Sequence, residues 1–120
     1  MMVHVVLFTP RPGLTDTELA RLSTTLDQAL SEIPTVRRYH VGRRARLGTA
    51  YDQAAPIDFS YCVLVEFDDR DGLVAYLHHP LHEALGRLFY ETSADALASD
   101  FETVSADVGS TLAAWRRSHV

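Results

Sequence analysis

The chain has 120 residues, a hydrophobic fraction of 47%, a charged fraction of 22% and a net charge of −5. These values describe one ordinary globular domain over residues 1–120, with no overall basic field to gather nucleic acid or an anionic membrane. The single cysteine, Cys62, cannot close an internal disulfide, and no stretch approaches the roughly 18 consecutive apolar residues of a membrane span. The expectation is a cytoplasmic protein with no nucleic-acid and no membrane partner.

Residues 3–8, Val-His-Val-Val-Leu-Phe, form a short β-branched run stopped by Pro10 and by Pro12-Gly13, which reads as a strand and a turn. Thr15 and Glu18 have the spacing of a capping box, in which hydroxyl and carboxylate satisfy free N–H groups at a helix start. Leu19, Leu22, Leu26, Leu30 and Ile33 then recur at three- and four-residue steps, the apolar face of an amphipathic helix that Pro34 stops. Residues 36–47 read as a second strand, exposed or at a sheet edge for part of its length. Residues 48–56 have little apolar bulk and read as a mobile loop. Residues 59–67 form the clearest strand: Phe59, Tyr61, Val63, Val65 and Phe67 alternate with Cys62 and Leu64.

After Asp68-Asp69 comes a helix carrying Leu73, Val74, Tyr76 and Leu77. His78-His79-Pro80 interrupts it, and Pro80 suits the first position of a new helix because its missing N–H would be unpaired there anyway. That helix carries Leu81, Ala84, Leu85, Leu88 and Phe89. A fourth strand is expected over residues 97–104. The tail over residues 107–117 suits a short helix whose Leu112 and Trp115 could seal a barrel or a dimer edge. The resulting order, β-α-β-β-α-β with a split second helix, is the ferredoxin-like α+β arrangement of one antiparallel sheet with helices on one face.

The first strand is apolar on both sides, through Val3, Val5 and Leu7 on one and Val6 and Phe8 on the other. The third is double-sided through Cys62 and Leu64. A sheet with one wet face should alternate apolar and polar residues. The face away from the helices therefore needs a cover, either a second copy of the chain, giving a homodimer, or the subunit's own C-terminal helix.

Residues 3–8 with Pro12-Gly13, Glu32-Ile33-Pro34, Ala75-Tyr76-Leu77-His78-His79-Pro80-Leu81-His82 and the closing Ser99-Asp100-Phe101-Glu102 together resemble the stress-responsive A/B barrel (Dabb) family over about residues 2–104. Residues 105–120 are then a C-terminal extension. The resemblance implies a ferredoxin-like protomer whose sheets pair into a dimeric α/β barrel with a cavity for a small apolar or polyketide-like ligand. It includes some likeness to olivetolic acid cyclase, which closes a linear polyketide by aldol condensation without metal. Small monooxygenases that need neither metal nor flavin share this barrel architecture, so no cofactor is implied. By this resemblance Tyr76 and His82 match a catalytic pair, and His4 matches a histidine near the cavity. Tyr61 stands where the cyclase has another cavity histidine, a departure from its pattern. His79 and His82 also recur in members with no known activity, where they cap and brace the helix start.

On the residues alone, His82 in the first turn of a helix meets the positive end of the helix dipole, which disfavours imidazolium and suits a general base. His79 joins it as a ligand-contact candidate. His78, His79 and His82 have spacings that invite a metal reading, but a break at Pro80 spoils one-face geometry. Arg37, Arg38, Arg43, Arg44 and Arg46 form the one basic concentration and divide between two strand faces, as a solvated edge does. Three functions stay open: a ligand-binding barrel of uncharacterised activity, a cofactor-free cyclase or monooxygenase, and a structural oligomer.

Overall fold

A computed structural model describes residues 1–104 and 107–119. The elements in chain order are β1 (Met2–Pro10), α1 (Asp16–Glu32), β2 (Arg38–Arg43), α2 (Ala50–Ala54), β3 (Tyr61–Phe67), α3 (Arg70–His78), α4 (Pro80–Thr92), β4 (Ser93–Glu102) and α5 (Val108–Ser118). The four strands form one antiparallel sheet in the order β2-β3-β1-β4. This is the ferredoxin-like arrangement.

Helix α1 begins where the capping box places it. The Glu18 N–H donates to Thr15 Oγ1 at 3.1 Å and the Thr15 N–H donates to Glu18 Oε1 at 3.2 Å. These bonds favour the Glu18 carboxylate and hold its pKa below the usual value, the Thr15 backbone bond being the largest cause. Pro80 occupies the first turn of α4, and the break between α3 and α4 falls at His79.

Strand alternation divides the sheet into two faces. Met2, His4, Val6 and Phe8 of β1 and Val63, Val65 and Phe67 of β3 face the helices. Leu22, Ala29, Leu30 and Ile33 from the first helix and its cap, with Leu73, Tyr76, Leu85 and Leu88, close the core over them. On the other face Val3, Val5, Leu7, Cys62 and Leu64 are only half-buried, while Leu97 and Phe101 are exposed.

Four boundaries differ from those expected. The second strand is shorter, ending at Arg43, because it is an edge strand with one partner and the ladder stops with β3. Residues 48–56 are not a bare loop: Thr49 caps the short helix α2. The Asp52 carboxylate there accepts from the Leu47 N–H and from Arg44. Strand β3 starts at Tyr61 rather than 59. Strand β4 starts at Ser93, four residues early, since β1 pairs with it back to Pro10, through a register shift between Thr9 and Pro10, and residues of low strand propensity follow that ladder.

The C-terminal helix forms, with Asp107 as its N-cap. It does not roof the outer sheet face: Val108, Leu112 and Trp115 are 65–73% exposed. Among the described residues no helix is long and apolar enough to cross a membrane.

Candidate functional site

A cavity of about 460 Å³ lies between the sheet and the helices. Its walls are mainly apolar, with Leu26 of α1, Val6 and Val63 of the sheet, and Leu85 and Phe89 of α4. Small residues make the space. Ala96 and Ala98 stand on β4 where larger side chains would meet α4, and Gly86 leaves α4 bare opposite them. Ala96, Ala98 and Asp100 are exposed, so the cavity opens along the β4 edge.

Its polar groups cluster at one end. His4 is 6% exposed, and Asp100 faces it in register across the β1–β4 ladder. His4 Nδ1 lies 2.6 Å from Asp100 Oδ1. A carboxylate accepts and does not donate, so Nδ1 carries the proton.

Tyr76 is 2% exposed, and its ring meets those of Phe67 at 5.0 Å, His82 at 4.7 Å and His4 at 5.9 Å between centroids. Burial pushes its phenol up to about 12, so it is a hydroxyl donor at neutral pH.

His82 sits in the first turn of α4, with Nδ1 3.2 Å from the Leu77 carbonyl. A carbonyl only accepts, so Nδ1 holds the proton and the neutral ring keeps a lone pair on Nε2. Its pKa lies below the ordinary imidazole value. Burial is the largest cause and the charge on His4 adds to it, while the Leu77 bond opposes both. Desolvation, rather than the helix dipole expected from the sequence, carries the shift.

Tyr76, His82 and His4 thus meet at one cavity end. His79 and Tyr61 stand apart from it. His79 is the α4 N-cap, its Nδ1 accepting from the Leu81 N–H at 3.1 Å, which fixes the tautomer opposite to that of His82. Tyr61 stacks on Phe8 at 5.5 Å and faces a separate shallow groove with Leu19, Leu22 and Val41. Among the described residues no group of three or more histidine, cysteine or acidic side chains is arranged to hold a metal ion. His78 is exposed at the end of α3, and the helix break at His79 separates it from the first turn of α4 that carries His82.

Asp100 is the polar cavity residue that the sequence left without a role. Its signal was a carboxylate inside the closing strand, legible only once the β1–β4 register puts it opposite His4. The arginines are largely engaged or solvated on the β2 edge: Arg37 pairs with Asp68, and Arg44 and Arg46 pair with Asp58.

The sequence matches the family model described as the Stress responsive A/B Barrel Domain over residues 2–103. No curated protein matches the chain in sequence. Among solved structures, a dimeric ferredoxin-like protein of unknown function from Thermobifida fusca is 28% identical, with a TM-score of 0.63 over 85% of this chain and 90% of that one. A hydroxynitrile lyase from Passiflora edulis is 12% identical, with a TM-score of 0.72 over 88% and 95% of the two chains. SnoaB, a cofactor-independent oxygenase from Streptomyces nogalater, is 15% identical, with a TM-score of 0.60 over 89% and 95%.

Proposed function

The chain belongs to the stress responsive A/B barrel domain family, and from that premise we propose that it is a homodimer whose protomers each bind a small, largely apolar molecule between sheet and helices. The observation that carries this reading is the cavity's division into a long apolar wall and one polar end, where His4 with Asp100, Tyr76 and His82 converge. Such a site orients a ligand by one oxygen atom and holds the rest by apolar contact.

Cofactor-free catalysis is the second reading, and the two protonation states favour it. Neutral His82 offers a lone pair on Nε2, and Tyr76 stays protonated. On a ligand with a carbonyl, His82 would remove a proton from the adjacent carbon. The C–H electron pair would move to the carbonyl oxygen, which Tyr76 would stabilise by donating a hydrogen bond. The enolate carbon would then attack a second carbonyl of the same molecule, whose π electron pair moves to its oxygen and takes the proton held by the His82 imidazolium, the aldol-type closure of a polyketide cyclase. The fold accommodates enzymes, since a hydroxynitrile lyase and a cofactor-independent oxygenase share it.

Nuclear magnetic resonance titration with acetophenone and with naphthaldehyde tests the binding reading. Shifts are expected in the His82 imidazole and Tyr76 ring signals. Ala98→Leu, which fills the cavity from β4, is expected to abolish them. Binding that Ala98→Leu leaves intact lies elsewhere and would end this reading. For catalysis, a His82→Ala variant that still folds and turns a substrate over at the native rate removes His82 from the mechanism.

A further inference from the structure

We propose that α5 is a dimerisation arm, whose apolar stripe packs on the second copy of this chain and enlarges the sheet-to-sheet interface. The inference rests on the homodimer reading above and adds to it a segment beyond the family-matched residues 2–103.

The stripe is Val108, Leu112 and Trp115, spaced as one helix face, and these side chains are 73%, 67% and 65% exposed. The helix is well begun, since Asp107 accepts from the Ser110 N–H at 2.8 Å. Yet it is 11 residues long, and a helix of that length is marginal in water without a packed face. Among the described residues α5 makes no extended packing contact with any sheet strand or other helix, so its stripe is unpacked within its own subunit. The radius of gyration is 16.4 Å, against about 13.5 Å for a compact chain of this length. The C-terminal helix is reaching away from the body.

Two observations choose the second copy as the occupant. The first is continuity. Leu97 and Phe101 are exposed on the outer sheet face, Val104 just beyond β4 is exposed, and the α5 stripe opens four positions later in the sequence at Val108. That apolar series begins on the outer face that the homodimer proposed above would bury.

The second is area. The outer face is apolar across β3, β1 and β4 only, because Arg38 and His40 occupy β2 on that side. Three strands at a spacing of roughly 4.8 Å, with residues 3 to 7 at roughly 3.4 Å each, give a footprint on the order of 200 Å². Doubled for side-chain relief, this is about 400 Å² of apolar surface, which matches the apolar share of a standard interface but falls short of obligate homodimers, which bury roughly 1,000 Å² or more per partner, about 65% of it apolar. The arm supplies apolar surface that the sheet lacks.

Trp115 is the chain's single tryptophan, so its fluorescence reports the arm alone. The full-length protein is measured by sedimentation and by acrylamide quenching across a dilution series, beside Leu112→Glu. The expected result is a dimer with Trp115 shielded from acrylamide, the shielding disappearing on dilution as the dimer dissociates. Leu112→Glu is expected to keep the native circular dichroism and raise the dissociation constant at least about tenfold, since each leucine loses its burial. A dimer with Trp115 as open to acrylamide as free N-acetyltryptophanamide overturns the arm and leaves the dimer standing. So does Leu112→Glu with an unchanged dissociation constant. A protein that stays monomeric at every concentration overturns both readings, whichever way Trp115 is shielded.

Discussion

At the scale of single residues, the histidines show how identity and role separate. His79 and His82 lie three positions apart, yet one accepts a hydrogen bond through Nδ1 and the other donates through it. The His82 pKa is lowered in the folded chain, so below about pH 6.5 the unfolded chain takes up this proton first. The stability it contributes is complete above that pH and is lost as pH falls through the lower folded value. Urea midpoints at pH 7 and pH 5 are expected to drop further for the native protein than for His82→Asn, whose amide still donates to Leu77. Equal drops would show that His82 does not report a desolvated imidazole. The sequence placed Tyr76, His82 and His4 together by resemblance, and all three do line the cavity. It could not place Asp100, because strand register alone decides which carboxylate meets His4.

At the scale of elements, local chemistry was the reliable guide. The Thr15–Glu18 box and Pro80 at the start of α4 depend on neighbours a few positions away and appear where they were expected, and the alternation expected over residues 59–67 forms a strand from Tyr61 onward. Thr15→Ala is expected to lower the unfolding free energy by about 1 kcal/mol, measured by urea denaturation, with Thr15→Ser restoring most of the loss. A Thr15→Ala variant as stable as the native protein would mean that the cap is replaceable by water. Strand β4 was misjudged at its start because Ala-Asp-Ala-Leu-Ala has no strand pattern of its own. Its ladder partner β1 extends it. The short helix α2 was missed for a related reason. Five residues have too little periodicity to see, and an acidic side chain bonded to Leu47 and Arg44 stabilises the segment instead.

At the scale of the whole molecule, the outer sheet face is the dominant fact. Val5 stands mid-strand on it, opposite Leu64 on one side and Ser99 on the other. Val5→Arg puts an unpaired charge at the centre of the surface a dimer would close over, at a cost of several kcal/mol. Sedimentation at micromolar concentration is expected to give twice the 13.4 kDa chain mass for the native protein and a single chain mass for the variant. A Val5→Arg protein that remains a dimer would show that the pairing uses another surface.

Hydrophobic periodicity, caps and helix breakers are written in adjacent residues, so the amino-acid order by itself determined the α+β class, the element succession and a sheet apolar on both faces. The cavity depends on Ala96, Ala98 and Gly86 leaving room at one height of the fold, and its polar end depends on Asp100 meeting His4 from 96 positions away. Those distances exist only after the strands have paired. The tertiary structure alone therefore decided which histidine is a cap, which tyrosine is buried, and that the C-terminal helix stands off the subunit to which it belongs.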